Sequence, residues 1–346
     1  MKVALIGLGM VARTHVQAIA DLGGKVVLHG VLSRSTKSAQ LFIDSIKDDL
    51  AAVPMVYDSI QAIAADPEID FVILCTPPNA RAEAVKVLAA AGKPILMEKP
   101  VERDGSAAQA IVVECENAGV PLGIVFQHRM RAASIALADL LSRGDLGEIT
   151  LVEIAVPWWR PQAYYDEPGR GTYARDGGGV LISQAIHTLD LALSFIGPVT
   201  SVQAIARTTK LHNMESEDFV SAGLEFANGA VGSLVASTAS FPGGAESIVL
   251  HCTKGSATLK SGQLRLAWQD GRIETIGQAG GTGGGADPMA FTHDWHKGII
   301  GNFADALTNQ RALVASGRDA LAVHRVIDAI VMSSNQERMV LLSEVE

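Results

Sequence analysis

Short apolar runs punctuate the first third of the chain at nearly even spacing. They fall at residues 2–6, 26–32, 53–56, 71–75, 94–97 and 122–126. Stretches with helical periodicity, such as 11–22, 80–91 and 105–118, fill the gaps. Continuous apolar runs alternating with helices predict a parallel sheet covered on both faces. Right-handed crossovers then make a doubly wound, Rossmann-type α/β domain over residues 1–125.

The pattern changes after that point. A helix at 132–142 leads into a strand at 149–156. A loop rich in Trp, Tyr and Arg follows at 157–175, and then an apolar helix at 179–195. Strands without intervening helices come next, at 201–207, 219–226, 230–237, 247–252, 257–260, 263–268 and 272–276. Asn228-Gly229 and Asp270-Gly271 are hairpin signals. Residues 126–346 therefore read as an α+β domain with an open, mainly antiparallel sheet. A glycine-rich, mobile stretch is expected at 277–287, before closing helices at 299–308 and 319–333, the last a candidate to pack back on the Rossmann domain.

Composition narrows the class. The chain has 346 residues, 48% hydrophobic and 19% charged, as in a folded globular protein of two domains. A net charge of −9 without a Lys/Arg run argues against nucleic acid as a partner. No apolar run is long enough for a membrane span. Cys75, Cys115 and Cys252 are scattered, with no metal or redox spacing, so no metal is expected. Scattered thiols and the lack of a leader-like start suggest the cytoplasm.

Candidate chemistry clusters at strand ends. Gly7, Gly9 and Ala12 form G-x-G-x-x-A between the first strand and the first helix, with Met10 and Val11 at the helix start. The first glycine allows a tight turn, the second lets backbone approach a pyrophosphate, and the small third residue lets helix and strand pack. The helix start offers amides and partial positive charge. An NAD site usually has an acid after the second strand; here Ser33, Arg34 and Ser35 stand there, which favours NADP(H) over NAD(H) through a 2′-phosphate. Thr76-Pro77-Pro78-Asn79 closes the fourth run and should line the cofactor, with Asn79 placed to cap the next helix. Glu98 and Lys99 lie at the fifth strand's carboxyl end. Oxidising a carbinol requires a base for the hydroxyl proton. Lysine is too basic in water, but a neighbouring positive nicotinamide would lower its pKa.

The apolar helix at 179–195 carries Ser183, Gln184, His187 and Asp190 at helical spacing on one face, behind Gly177-Gly178-Gly179. The stripe either finds buried partners or lines a cavity, and the glycines let something approach the helix start closely. Gln127, His128 and Arg129 end the sixth run. Trp158, Trp159, Arg160, Tyr164 and Tyr165 could stack on a sugar and bind its hydroxyls, or simply pack the loop. His293 and His296, flanking Trp295, could form a weak metal pair; His296 reads better as part of a lid.

Taken together, the G-x-G-x-x-A turn, Thr76-Pro-Pro-Asn79, Glu98-Lys99-Pro100 and the Gly-Gly-Gly…His…Asp helix resemble the Gfo/Idh/MocA oxidoreductases, named for glucose-fructose oxidoreductase, inositol dehydrogenase and a rhizopine-catabolism protein. The resemblance covers nearly the whole chain. It implies hydride transfer between a nicotinamide and a CH–OH carbon of a sugar, sugar derivative or cyclitol. It also implies a homodimer or homotetramer assembled through the C-terminal sheet. By the same resemblance Lys99 and His187 serve in proton transfer or hold the reacting hydroxyl, Gln184 orients it, and the bond before Pro100 is cis; Gln127, Arg129, Trp159, Arg160 and Ser183 are candidate substrate contacts by their place and chemistry around this site. Many members carry Asp where this chain has Ser183, so the full Lys-Asp-His arrangement is absent. Two rivals remain at this stage: a dinucleotide-binding sensor without turnover, and a dehydrogenase for non-sugar substrates of the trans-dihydrodiol type.

Overall fold

The computed structural model describes residues 1–278, 280 and 291–345. The glycine-rich stretch falls mostly outside them. In chain order the first elements are β1 (Lys2–Ile6), α1 (Ala12–Ala20), β2 (Val27–Leu32), α2 (Thr36–Ile46), β3 (Met55–Val56), α3 (Ile60–Ala65), β4 (Phe71–Leu74), α4 (Ala82–Ala90), β5 (Ile95–Met97), α5 (Gly105–Asn117) and β6 (Leu122–Ile124). Then come α6 (Ala132–Ser142), β7 (Ile149–Pro157), α7 (Gln162–Tyr165), α8 (Ile186–Ile196), β8 (Val199–Arg207), β9 (Phe219–Phe226), β10 (Val231–Ser237), β11 (Ser247–Cys252), β12 (Gly255–Lys260), β13 (Gln263–Trp268) and β14 (Ile273–Ile276). The chain closes with α9 (Asp294–Asn309), α10 (Gly317–Gln336) and β15 (Val340–Leu341).

Two compact units result. The first comprises Met1–Glu102, Ser106–Gln127 and Thr292–Leu321; the second comprises Arg103–Gly105, His128–Phe291 and Ala322–Glu346. A boundary drawn along the sequence at 125/126 misses that α9 returns to the first unit.

The first unit's sheet is six-stranded in the order β3-β2-β1-β4-β5-β6, every pair parallel. The order reverses between β1 and β4, where ligands of doubly wound folds gather at the carboxyl edge. All four residues of β4 and all three of β5 are buried, as expected of strands covered on both faces. Helices α2 and α3 escaped the periodicity reading. Both start on a serine cap: Ser35 Oγ accepts from the Ser38 amide and Ser59 Oγ from the Ala62 amide, each at 3.2 Å.

The second unit's sheet is nine-stranded, in the order β14-β13-β12-β11-β7-β10-β9-β8-β15. Only β7 and β10 pair in parallel. The predicted hairpins close where Asn228-Gly229 joins β9 to β10 and Asp270-Gly271 joins β13 to β14. Alternate residues of β7, β10 and β11, among them Val152, Ile154, Leu234, Ile248 and Leu250, form the buried face. β15 was not anticipated; two residues are too short for a period.

Candidate active site

The glycine turn has the geometry its sequence requires. Gly7 has φ +92°, and a Cβ there would lie 2.8 Å from the backbone between Cys75 and Thr76. The loop after β4 thus sits directly against the turn after β1. A Cβ on Gly9 would meet nothing within 4 Å, which leaves room for a ligand's backbone approach. No side chain caps the start of α1, so its amides stay available to an anion. Met10 is exposed and Ala12 fully buried. These residues fit a dinucleotide. After β2, Ser33 is half-buried and Arg34 exposed, with no hydrogen bond or ion pair among the described residues; the Ser35 hydroxyl is already committed to capping α2. Thr76 and Pro77 flank the Gly7 turn. Asn79 is exposed and does not cap α4, whose N-cap position is Arg81 with no side-chain cap bond. That capping expectation is corrected: a single turn of 3-10 helix at Pro78–Ala80 intervenes.

Lys99 lies two residues beyond the end of β5, and the Lys99-Pro100 bond is cis. Glu98, buried, lies among groups of its own unit. Its Oε1 is 2.8 Å from His15 Nε2 on α1 and 3.6 Å from His296 Nε2 on α9. The two imidazoles meet edge-to-face at 5.0 Å. Burial disfavours every charge here, but the histidine contacts outweigh it and hold Glu98 well below the usual carboxylate range. Burial likewise opposes a charge on His15, yet Cys75 and Glu98 push its pKa up to about 10. Burial prevails at His296 and lowers its pKa. The arrangement is therefore one carboxylate, one imidazolium and one neutral imidazole. The same three side chains bring one ligand atom each within 4.8 Å of one another; the internal ion pair already accounts for them. His296 is 1% exposed and lies on α9, while the glycine-rich stretch expected to form a lid lies mostly outside the described residues. His293 diverges from it and meets Asp21 at 2.9 Å.

In the second unit, the helix expected at 179–195 is not uniformly α. Leu181–Ala185 form a π-helical turn before α8 begins. Such turns re-aim side chains and occur often at functional sites. The glycines before it serve the fold itself. A Cβ on Gly179 would lie 1.7 Å from the Glu217 carbonyl oxygen, and one on Gly177 would lie 2.4 Å from that of Arg103. Glu217 occupies the helix start: its carboxylate accepts from the Gly179 amide at 3.2 Å and the Leu181 amide at 3.1 Å. The close approach expected at this helix start is that of Glu217.

Gln184, His187, Thr188 and Asp190 are buried, and Ser183 is half-buried. His187 stacks on His128 at 4.8 Å between centroids. Arg131 Nη2 lies 2.6 Å from His128 Nε2. Arginine can only donate, so that nitrogen is an acceptor and His128 is neutral. Arg131 in turn pairs with Glu246 at 2.7 Å, and Glu246 accepts from Trp158 Nε1 at 3.3 Å. Asp190, fully buried, binds Arg129 through two parallel contacts of 2.8 and 2.6 Å. Gln184 Nε2 is 3.4 Å from the Tyr164 hydroxyl.

The aromatic loop is mostly packed. Arg160 is 2% exposed, donates to Trp159 O at 2.8 Å and lies over the Trp158 and Tyr164 rings. Tyr165 is buried, its hydroxyl 2.6 Å from that of Thr238. Trp159 is half-buried and meets exposed Phe241 edge-on at 5.3 Å. Gln127 is buried at the end of the first unit's main run. The sequence reading missed Arg81, His15, Glu217 and Arg131. Buried polar residues in apolar surroundings were the available signal, but nothing local names their partners.

This fold and these strand-end residues define a dinucleotide-binding oxidoreductase. Residues 1–126 match the oxidoreductase family with NAD-binding Rossmann fold, and 135–258 the GFO/IDH/MocA C-terminal domain. The chain belongs to the GFO/IDH/MocA family and is an NAD(P)-dependent oxidoreductase. It is 24% identical to inositol 2-dehydrogenase of Rhizobium meliloti, over 99% of both chains. It is 27% identical to D-apiose dehydrogenase of Rhizobium rhizogenes, over 98% of this chain and 97% of the other. Among solved structures, the WlbA dehydrogenase of Bordetella pertussis, in complex with NADH and UDP-GlcNAcA, matches with TM-score 0.79 and 26% identity, over 99% of this chain and 98% of that one.

Proposed function

We propose that this enzyme transfers a hydride between NADP(H) and a hydroxyl or keto carbon of a sugar, sugar derivative or cyclitol, with Lys99 as the acid/base group. The observation that carries this reading is the place of Lys99: it leaves β5 at the sheet's carboxyl edge, one strand from the point where the strand order reverses. When bound, the nicotinamide supplies the hydride donor or acceptor. Neutral Lys99 takes the hydroxyl proton at Nζ during oxidation and returns it during reduction. His187, stacked on neutral His128, can carry a proton or hold a hydroxyl. Gln184 Oε1 is buried with no partner among the described residues, and a substrate hydroxyl would satisfy it.

Similarity to dehydrogenases named for inositol and apiose supports a polyol substrate. Arg129 and Arg160 are engaged within their own unit, by Asp190 and by Trp159 O, which favours a neutral polyol over an acidic sugar. Trp159 and Phe241 offer an apolar face for a sugar ring. Half-buried Ser183 and buried Gln127 complete the substrate-binding set. NADP(H) over NAD(H) is supported by exposed Arg34 and the absence of an acid after β2. The three cysteines are free thiols, consistent with a reducing cytoplasm. No helix among the described residues is long and apolar enough to cross a membrane.

Lys99→Met should lower kcat by roughly 10²–10⁴-fold while leaving NADPH binding intact. Wild-type turnover in a folded Lys99→Met protein would remove Lys99 from the mechanism.

A further inference from the structure

Two loops leave neighbouring strands at the carboxyl edge of the first unit's sheet. The loop after β4 carries Thr76, and the one after β5 carries Lys99. Arg81, at the N-cap of α4, is 2% exposed. Every hydrogen bond of its guanidinium goes to a backbone carbonyl. Nε and Nη2 reach Thr76 O at 2.9 and 2.7 Å. Nη1 reaches the carbonyls of Glu98 and Pro100, and that of Val101 at 3.5 Å. No carboxylate among the described residues lies within ion-pair distance.

Burying this cation is costly; the charges of Glu98 and Glu102 offset part of that cost from beyond ion-pair distance, yet burial prevails and lowers its pKa. A lysine, with one donor centre on a flexible stem, could not reproduce this fork. The carbonyls on either side of Lys99 are both gripped by one nitrogen. The preceding side chain, Glu98, is gripped by His15 and His296. The Lys99 peptide is thus held from two directions.

We infer that Arg81 is a positioning residue that fixes Lys99 relative to the Thr76 loop at the glycine turn. This rests on the reading of Lys99 as the acid/base group. The consequence is a division of effects: removing the fork should leave cofactor affinity and misplace the proton-transfer group.

The test compares Arg81→Ala, Arg81→Lys and Lys99→Met in the full chain. Expected for Arg81→Ala is a kcat about 100-fold down with NADPH Kd within about threefold. Guanidinium ion added at millimolar concentration should restore roughly tenfold of that loss, and should restore nothing to Lys99→Met. Arg81→Lys should be as impaired as Arg81→Ala. A second readout avoids turnover: the rate at which an activated ester acylates Lys99, read by peptide mass, with and without NADPH. Protection by NADPH should fall in the Arg81 variants. Should Arg81→Ala not fold, Arg81→Lys carries the test with the same kcat-without-Kd signature. Wild-type kcat in Arg81→Ala beside an inactive Lys99→Met overturns the inference alone. Impaired kcat with neither guanidinium rescue nor altered Lys99 protection also overturns it. An active Lys99→Met overturns the reading of Lys99 and the inference with it.

Discussion

Glu217 shows how a single residue decides what a helix start can do. Its carboxylate is lodged on the amides of Gly179 and Leu181, and burial holds its pKa above the ordinary glutamate value. Replacing it with alanine strands two buried N–H groups, at an expected cost of about 2–4 kcal/mol. Glu217→Gln keeps one acceptor oxygen and should cost less; urea unfolding of the two variants checks the order. Equal stability of wild type and Glu217→Ala would mean that water takes over both amides. Arg34 stands at the opposite extreme, exposed and uncommitted. Arg34→Ala should weaken NADPH roughly tenfold or more, the worth of a charge-assisted contact, and leave NADH unchanged. Calorimetry with both dinucleotides decides this, and equal effects on the two would end the phosphate-site reading.

At the scale of elements, what sequence periodicity reveals is the burial of whole strands. β1, β4 and β5 were legible because both faces are covered, and the glycine turn because its residues answer to backbone geometry. The start of the 179–195 helix was misread, since a π turn inserts no residue type that periodicity can register. Asn79 failed as a cap because one extra turn separates it from α4. The glycine run announced a close approach correctly but not its occupant, which comes from Glu217, 38 residues further along. The union of α1, β5 and α9 through His15, Glu98 and His296 was equally invisible, being a contact across 198 positions from Glu98 to His296. This network makes a pH prediction. The raised pKa of His15 contributes stability in full below its unfolded value near 6.5, and that is lost as pH rises through about 10. The depressed pKa of Glu98 contributes above its unfolded value near 4.5, and that is lost as pH falls. The stability difference between wild type and His15→Gln should therefore peak between about pH 4.5 and 6.5 and shrink toward pH 10. A difference that stays constant across that range in urea titrations would show that the pair is not ionised.

For the whole molecule, the open question with a physical handle is assembly. The nine-stranded sheet has one buried face; the register places Val231, Leu151 and Ile273 in one row of the other, and Val235 and Ile205 in another. All five side chains are at least 39% exposed, Ile273 and Ile205 most of all at 61% and 57%. Single exposed aliphatics are ordinary, but Val231 and Leu151 stand side by side here, with Val235 further along β10 on the same face, a grouping of the kind that a second surface covers. The face is self-complementary in chemistry, and a twofold contact would place each row against its copy. The expected state is a dimer, or a tetramer that is a dimer of dimers, through this face. Val231→Lys combined with Val235→Glu should convert it to monomer, because charges facing charges across a desolvated contact lose several kcal/mol of association. Light scattering at micromolar protein reads the mass directly, and NADPH binding by the dissociated form would show that its first unit remains folded. A wild-type monomer at those concentrations would leave the aliphatic face as plain surface, and a double variant with unchanged mass would move the contact to another face.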